Sequence, residues 1–582
     1  MRKKLIRLAA MTVASAIMLT SCGGSGSSSN SANNSGDAAE STESKEPKTI
    51  FDKETTTIEI DGEITPLNIQ TEENVIDDKY RNYYEIFVGS FYDSDGDTMK
   101  MGDLNGVIEK LDYINDGDPN TDTDLGCNGI WLMPICPSPS YHKYDVTDYM
   151  DIDEAYGTLD DYKKLVEECH KRGINIIIDL VMNHSSVAHP WFKEAKEYLQ
   201  NLPEGKEPDP NECKYVEYYT FTKEQVSDKY YPVGSSDYYY YGEFSQQMPD
   251  LNLDNENVRK EFEEIAKFWL DLGTDGFRLD AAKEYFSGET DKNIEVLTWF
   301  NDYVKSVDED AYIVAETWTS ENADYVASGI DSAFDFLYSG VNGFIPLTVF
   351  NADTAYSGQF LEGCFETSEE DVKENNENGI VAAFIGNHDI DRITAILAYD
   401  AEQVKFAHGL LNIMNGSPFI YYGDEIGIGG MGADENKRSP MIWSSDEDAE
   451  GQTAGPVNMS KSSVINKFDS VEDQLADPDS ILNYVKESIK IRNIFPEIAR
   501  GEMTLLEDDV EDEEVIAMQK TYNGSSVIII ANCSSDEDKT ITLSREKFGY
   551  TDIQGMLIVG DVEPAQSGDT IALPPRSIVI LK

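Results

Sequence analysis

Basic residues are scarce in this chain: 46 lysines and arginines stand against 110 aspartates and glutamates, a formal charge of −64 over 582 residues. Such a surface repels nucleic acid and anionic membranes and tolerates neutral or cationic ligands. Cysteine is rare as well, with seven residues. Six of them (Cys127, Cys136, Cys169, Cys213, Cys364 and Cys533) form no CxxC or zinc-like spacing and suggest no disulfide framework, so they are read as core residues without a metal role. No apolar run is long enough to span a bilayer; the one near the N-terminus is too short.

That N-terminal run, "MRKKLIRLAAMTVASAIMLTSC", has Arg2, Lys3, Lys4 and Arg7 ahead of an apolar stretch and ends on small residues. It reads as an export signal over residues 1–22. "LTSC" resembles the bacterial lipobox, which implies a lipidated Cys22 and a lipid-anchored, extracytoplasmic protein. Residues 23–76 open with a Gly/Ser/Asn tract that cannot bury a core and are expected to form a flexible linker.

With this length, two or three domains are expected. Between about residues 80 and 425 eight short apolar runs recur: Tyr84–Val88, Gly129–Pro134, Ile174–Leu180, Gly276–Asp280, Ala311–Glu316, Ser332–Phe336, Ile380–Gly386 and Pro418–Gly423. Helical patterns lie between them. "GTLDDYKKLVEECHKRG" offers a Thr158/Asp161 cap, an apolar face of Leu165, Val166 and Cys169, and Gly173 as its stop. "NVRKEFEEIAKFWLDLG" spaces Val258, Phe262, Ile265, Trp269 and Leu272 as one helix face. Strands alternating with helices give a parallel sheet, and eight such units predict an α/β fold of the (β/α)8 TIM-barrel type. The barrel is expected over residues 77–184 and 248–500, with an inserted domain after the third strand (185–247) that is too long for an ordinary loop. Its tyrosines, as in "KYYPVGSSDYYYYGEF", are open between stacking on a ligand and plain packing. Alternating runs over 501–582 predict a C-terminal antiparallel β-sandwich.

Functional residues of such barrels sit where the strands end. Asp179, Asp280 and Glu316 end the third, fourth and fifth runs, and Asp389 follows the seventh. Arg278 and Asp280, two apart on a strand, face the same way. Three acids converging on one barrel mouth suit glycoside hydrolysis, which needs a proton donor at the leaving oxygen and a carboxylate on the other sugar face. Arg278 is expected to keep Asp280 ionised, and neighbouring negative charge to keep Glu316 protonated.

The motifs "DLVMNHSS", "MPDLN", "DGFRLDAAK", "VAETW" and "FIGNHD", in that order and joined by "YHKYDVTDY" and "KRSPMIW", resemble the signature regions of the α-amylase family, glycoside hydrolase family 13. "MPDLN" is similar to the subgroup between oligo-1,6-glucosidases and neopullulanases. The resemblance implies a retaining double displacement with Asp280 as nucleophile, Glu316 as acid/base and Asp389 gripping and distorting the sugar. It implies sugar contacts from Arg278, His184 and His388, with Tyr144 stacking beneath; Lys283 joins the substrate-binding set, and His142 stays open between sugar contact and loop packing.

Calcium is the implied cofactor. Asp93, Asp95, Asp97 and Asp103 resemble a calcium loop of the family, oxygen-rich as that ion prefers; Asn183 and Asp250 are a second candidate site, near a Glu284 that stands where many α-amylases have histidine. Ala281 after the nucleophile favours α-1,4 action on starch and maltooligosaccharides over strict α-1,6 action. The alternatives are a 4-α-glucanotransferase, an oligo-α-1,6-glucosidase or neopullulanase-like enzyme, and a non-catalytic surface glucan-binding protein. A monomer with an α-glucan substrate and no nucleic-acid partner is expected.

Overall fold

The computed structural model describes residues 57–60, 63–66, 79–96, 98–118, 121, 123–351, 354–446 and 448–582. The export signal, Cys22 and Asp97 lie outside the described residues. So does the expected linker, apart from an antiparallel hairpin of Thr57–Ile60 with Glu63–Pro66.

Eight parallel strands form the centre: β1 Tyr83–Ile86, β2 Gly129–Leu132, β3 Asn175–Leu180, β4 Gly276–Leu279, β5 Tyr312–Ala315, β6 Ser332–Asp335, β7 Ala382–Ala383 and β8 Phe419–Tyr421. Neighbours pair in the order β7-β6-β5-β4-β3-β2-β1-β8, and a parallel bridge from Phe384 to Phe419 joins the two ends into a barrel. The seventh run, expected over Ile380–Gly386, pairs regularly at only two residues. Its other groups are used elsewhere: Ile380 N donates to Asp331 O at 2.8 Å, Ser417 N donates to Val381 O at 2.8 Å, and Phe384 makes the closing bridge.

Each anticipated helix forms for the reason its sequence gives. Over Leu159–Lys171 the Thr158 side chain accepts from Asp161 N while Asp161 accepts from Thr158 N, a reciprocal cap that satisfies two orphan donors. Tyr162, Leu165, Val166 and Cys169 are buried, and Gly173 leaves the helix at φ +71°. The helix Glu256–Asp271 is capped by Asn255 and buries Val258, Phe262, Ile265 and Trp269. Inside the barrel, Tyr83, Trp131, Ile177, Tyr312, Val314, Phe334 and Phe419 pack into one aromatic-rich cluster, so the centre is a filled core and the functional groups gather at its rim.

After β3 the chain leaves the barrel for a helix (Pro190–Gln200) and a three-stranded antiparallel sheet centred on Tyr239–Tyr241. Tyr218, Tyr219, Tyr238 and Tyr240 are buried in this insert, with Tyr240 edge-on to Phe192 at 4.8 Å. A bridge between His184 and Asp250 ties its two ends together. At the C-terminus a five-stranded and a three-stranded antiparallel sheet enclose Val515, Ala517, Ile528, Ile530, Ile571 and Val579. Among the described residues no helix is long and apolar enough to cross a membrane. All six described cysteines are unbridged, and all but Cys213 are buried.

One buried histidine gives the fold an acid limit. His408, on the helix Ala401–Asn412, is fully buried, and burial pushes it down to about 4. An unfolded chain takes up this proton near pH 6.5, so the stability tied to neutral His408 is complete above that pH and is lost as pH falls towards 4. The total is about 3 kcal/mol. Urea unfolding between pH 6.5 and 4 should show a shallower acid slope for His408→Gln than for the native protein; equal slopes would contradict the assignment.

Candidate active site

Gly276 opens β4 because a Cβ there would lie 1.9 Å from the Tyr312 carbonyl oxygen. This close approach of β4 to β5 sets Arg278 and Asp280 beside Glu316. Arg278 is 2% exposed. Its Nη1 donates to both carboxylate oxygens of Asp179 (2.7 and 2.8 Å) and to Asp280 Oδ1 (2.7 Å), and its Nη2 donates to Glu316 Oε2 at 2.8 Å. The Trp131 and Tyr144 rings lie 5.2 and 5.6 Å from the guanidinium carbon, within cation–π range. The expected Arg278–Asp280 pair is therefore part of a larger cluster, with one fixed cation shared by three acids. Burial pushes Asp179 up to about 7 against the pull of Arg278.

Glu316 directly follows β5. Burial is the main cause that lifts it to about 7, and the charges of Asp280 and Asp389 add to the lift. Arg278 and the Ala281 N–H, 3.0 Å from Oε2, oppose it. Neighbouring charge, the cause expected from the sequence, is thus the lesser contribution. Ala281 reaches Glu316 from a left-handed backbone at φ +47°, a conformation that costs a non-glycine residue about 1–3 kcal/mol and is commonest at functional sites.

A second charge cluster faces the first. His388 Nε2 lies 2.9 Å from Asp389 Oδ2 and 2.8 Å from the Tyr144 hydroxyl, while its Nδ1 lies 2.6 Å from Glu85 Oε1. Arg438 donates to Asp389 Oδ1 at 3.1 Å and to the Tyr141 hydroxyl at 3.2 Å. Burial alone would raise Asp389, but His388 and Arg438 hold it well below the usual carboxylate range. Burial likewise works to lower His388, yet Asp389 and Glu85 raise it to about 9. The Tyr144 ring stacks on His388 at 5.7 Å and on His142 at 6.0 Å, a layer of three flat rings.

Above this layer opens a cavity of about 610 Å³ lined by Asp280, Glu316, Asp389, His142, Tyr144, His184 and Lys283. Arg278 and His388 lie beneath its floor, in contact with groups that reach the surface. His184 is buried and kept largely neutral by that burial; Lys283 is partly exposed and pairs with Glu284 at 3.6 Å. The cavity is also lined by Arg438, Trp318 and Phe244, which sequence reasoning did not single out. Arg438 was within reach of it, as the arginine of "KRSPMIW". Glu85 had a weaker signal, an acid inside an otherwise apolar strand run. Phe244 had none: it is the insert's aromatic contribution to the cavity, half-exposed and 5.4 Å from the His184 ring, whereas no tyrosine of the insert lines it.

The two candidate metal sites differ. Asp93, Asp95 and Asp103 bring carboxylate oxygens within 4.8 Å of one another, the one such group of three acids among the described residues. Ser94 N and Oγ and Gly106 N all donate to Asp103 at 2.8 Å and Gly96 N donates to Asp93 at 2.8 Å, so these donors hold the carboxylates in place and leave lone pairs on oxygens that lie close to one another. This closed loop of hard oxygens fits calcium. Asn183 and Asp250 meet as a hydrogen-bonded pair, with Glu243 N also on Asp250 at 2.9 Å, and burial raises Asp250 to about 7. One carboxylate and one side-chain amide supply few of the oxygens a calcium ion takes, so the fit there is weaker.

The family model for the α-amylase catalytic domain matches residues 85–501. Alpha-amylase 3 of Dictyoglomus thermophilum is 37% identical over 472 residues, covering 79% of this chain and 86% of that protein. An oligo-1,6-glucosidase of Parageobacillus thermoglucosidasius is 30% identical over 600 residues, covering 86% and 97%. Among solved structures, Eubacterium rectale Amy13B is 42% identical with a TM-score of 0.82, covering 89% of this chain and 99% of that one.

Removing the shared cation should be costly. Arg278→Met leaves three buried acids uncompensated, and an expected loss of about 3–5 kcal/mol follows. The acids can relieve this only by holding protons, so the loss should grow as pH rises from 5 to 8. Urea unfolding at both pH values is the check; native stability at pH 8 would contradict the account.

Proposed function

The chain belongs to the α-amylase family and is an α-glucan glycosidase, and from that premise we propose that it cleaves α-1,4-glucosidic bonds of starch and maltooligosaccharides with retention of configuration. The observation that carries this reading is the division of labour on one guanidinium. Asp280 is held in an ion pair by Arg278, while Glu316, on the other nitrogen, is lifted to about 7. One carboxylate is kept as a nucleophile and the other as an acid.

In the proposed cycle Glu316 gives its proton to the glycosidic oxygen as Asp280 attacks the anomeric carbon. The carbon–oxygen bond breaks and a glycosyl ester forms on Asp280. Glu316, now a base, takes a proton from water, which displaces Asp280 and releases the sugar. Asp389, anchored by His388 and Arg438, accepts hydrogen bonds from the same sugar's hydroxyls. Tyr144 supplies a flat surface under that ring, and His142, His184 and Lys283 complete the wall.

Ala281 after the nucleophile and the similarity to an α-amylase over most of the chain support the α-1,4 reading. The oligo-1,6-glucosidase relative keeps α-1,6 action as a second reading, and transfer to a glucan acceptor would share the first step. Calcium is proposed at Asp93, Asp95 and Asp103, where it would fix the loop after β1. The N-terminal sequence supports export and anchoring of the protein through a lipid on Cys22.

A product time course distinguishes the activities. Short maltooligosaccharides from soluble starch, with isomaltose untouched, are expected; glucose from isomaltose, or products longer than maltotriose made from maltotriose, would overturn α-1,4 hydrolysis as the main activity. Because Glu316 must carry a proton to act as the acid, kcat/KM should fall as pH rises through about 7. For calcium the readout is stability: a chelator should lower the Tm by several degrees and added calcium restore it, and an unchanged Tm would count against the site.

A further inference from the structure

One buried carboxylate at the cavity floor has no part in the chemistry above. Glu85 is the third residue of β1, 1% exposed, inside the barrel. Its Oε1 meets His388 Nδ1 at 2.6 Å. The other ring nitrogen of His388 meets Asp389 Oδ2 and the Tyr144 hydroxyl, both of which line the cavity. A carboxylate, an imidazole and a second carboxylate are thus in contact, from the barrel core to the surface a sugar would touch.

We propose that Glu85 is a positioning residue of the active site: it keeps a proton on both ring nitrogens of His388, so that the Nε2–H is fixed on the Tyr144 hydroxyl and the imidazolium charge, 2.9 Å from Asp389, holds that carboxylate charged and aimed at the sugar. Donors and acceptors around the ring decide its charge. A neutral imidazole carries one N–H and could serve only one of its two carboxylates. Flanked by two, it is best satisfied as imidazolium, with a charge-assisted hydrogen bond to Glu85 on one side and an ion contact with Asp389 on the other. The groups around the ring agree. Tyr144 donates to Asp179 at 3.1 Å, which leaves its oxygen to accept from His388. Trp131 presents an edge-on contact at 5.7 Å. Arg278 from β4 and Arg438 after β8 add positive charge nearby, and Asp179 from β3 adds negative charge; without Glu85 the two arginines would oppose an imidazolium. An amide at position 85 could accept the same hydrogen bond but would leave Asp389 as the one carboxylate in contact with the ring to hold the second proton.

The inference rests on the reading of Asp280, Glu316 and Asp389 as the working acids. Its test is the ratio of kcat/KM for Glu85→Gln to that of the native enzyme across pH, read together with the protonation of the His388 ring itself in ¹⁵N-histidine spectra of both proteins, because the charge of Asp389 also bears on Glu316. Near pH 5.5, where His388 stays protonated in both, the variant should keep activity within about threefold; by pH 8 the ratio should fall to about one tenth of that value or lower as His388 loses its proton. Glu85→Asp retains the charge and should give a flatter ratio. A Glu85→Gln ratio that does not change with pH, whatever its size, would overturn the proposal, because a role in packing alone would lower activity equally at every pH. Should the variant fail to fold, the native protein still decides: in ¹⁵N-histidine spectra at pH 8 the His388 resonance, identified by its absence in His388→Asn, should be that of an imidazolium, and a neutral ring would overturn the proposal. Asp280→Asn separates this failure from that of the underlying reading. If Asp280→Asn is inactive while the Glu85→Gln ratio is flat, the role of Glu85 alone fails; if Asp280→Asn is as active as the native enzyme, the reading beneath it fails.

Discussion

Burying a single guanidinium among three carboxylates at the rim of a filled barrel is the constraint on which the site depends. Arg278 cannot shed its proton, so it fixes the positions of Asp179, Asp280 and Glu316 from β3, β4 and the end of β5. One positive charge does not neutralise three acids. The surplus negative charge, confined where water is scarce, must be relieved by protons, and the fold decides which acid takes one. Burial lifts Asp179 and Glu316 alike to about 7, and of the two it is Glu316 that lines the cavity, where its proton can be given to a substrate.

The second cluster does the reverse for Asp389. His388 and Arg438 hold it ionised despite its burial, and Glu85 supports His388 from below. The active-site floor is thus two linked charge systems, one biased towards a proton on Glu316 and one biased against a proton on Asp389. Tyr144 joins them: its hydroxyl touches Asp179 on one side and His388 on the other. A change in either system should therefore be felt in the other, which is why single substitutions here are expected to act on more than their own residue.

The barrel was legible because buried parallel strands write themselves as short apolar runs and the helices between them carry their own caps, as Thr158 and Asp161 do. The seventh strand was overestimated because an apolar run reports burial and not pairing; most of its hydrogen bonds go to loops and to the closing bridge. The acids at the strand ends could be read for the same reason, since a charge that ends an apolar run is out of place unless it works. Glu85 and Arg438 were harder. Each matters through a partner some 300 or 49 positions away in sequence, and nothing local marks such a pairing. Phe244 and the cause of the Glu316 shift depend on depth and three-dimensional packing, which no motif encodes.

The central claim, that Asp280, paired with Arg278, attacks while Glu316 supplies the proton, is tested most directly by trapping. An activated α-glucosyl fluoride bearing a fluorine that slows the second step should leave a sugar on the enzyme, to be located by mass spectrometry of its peptides. The account predicts a single label, on Asp280. A label on Glu316 or Asp389, or full turnover of the reagent with no labelled peptide, would contradict it.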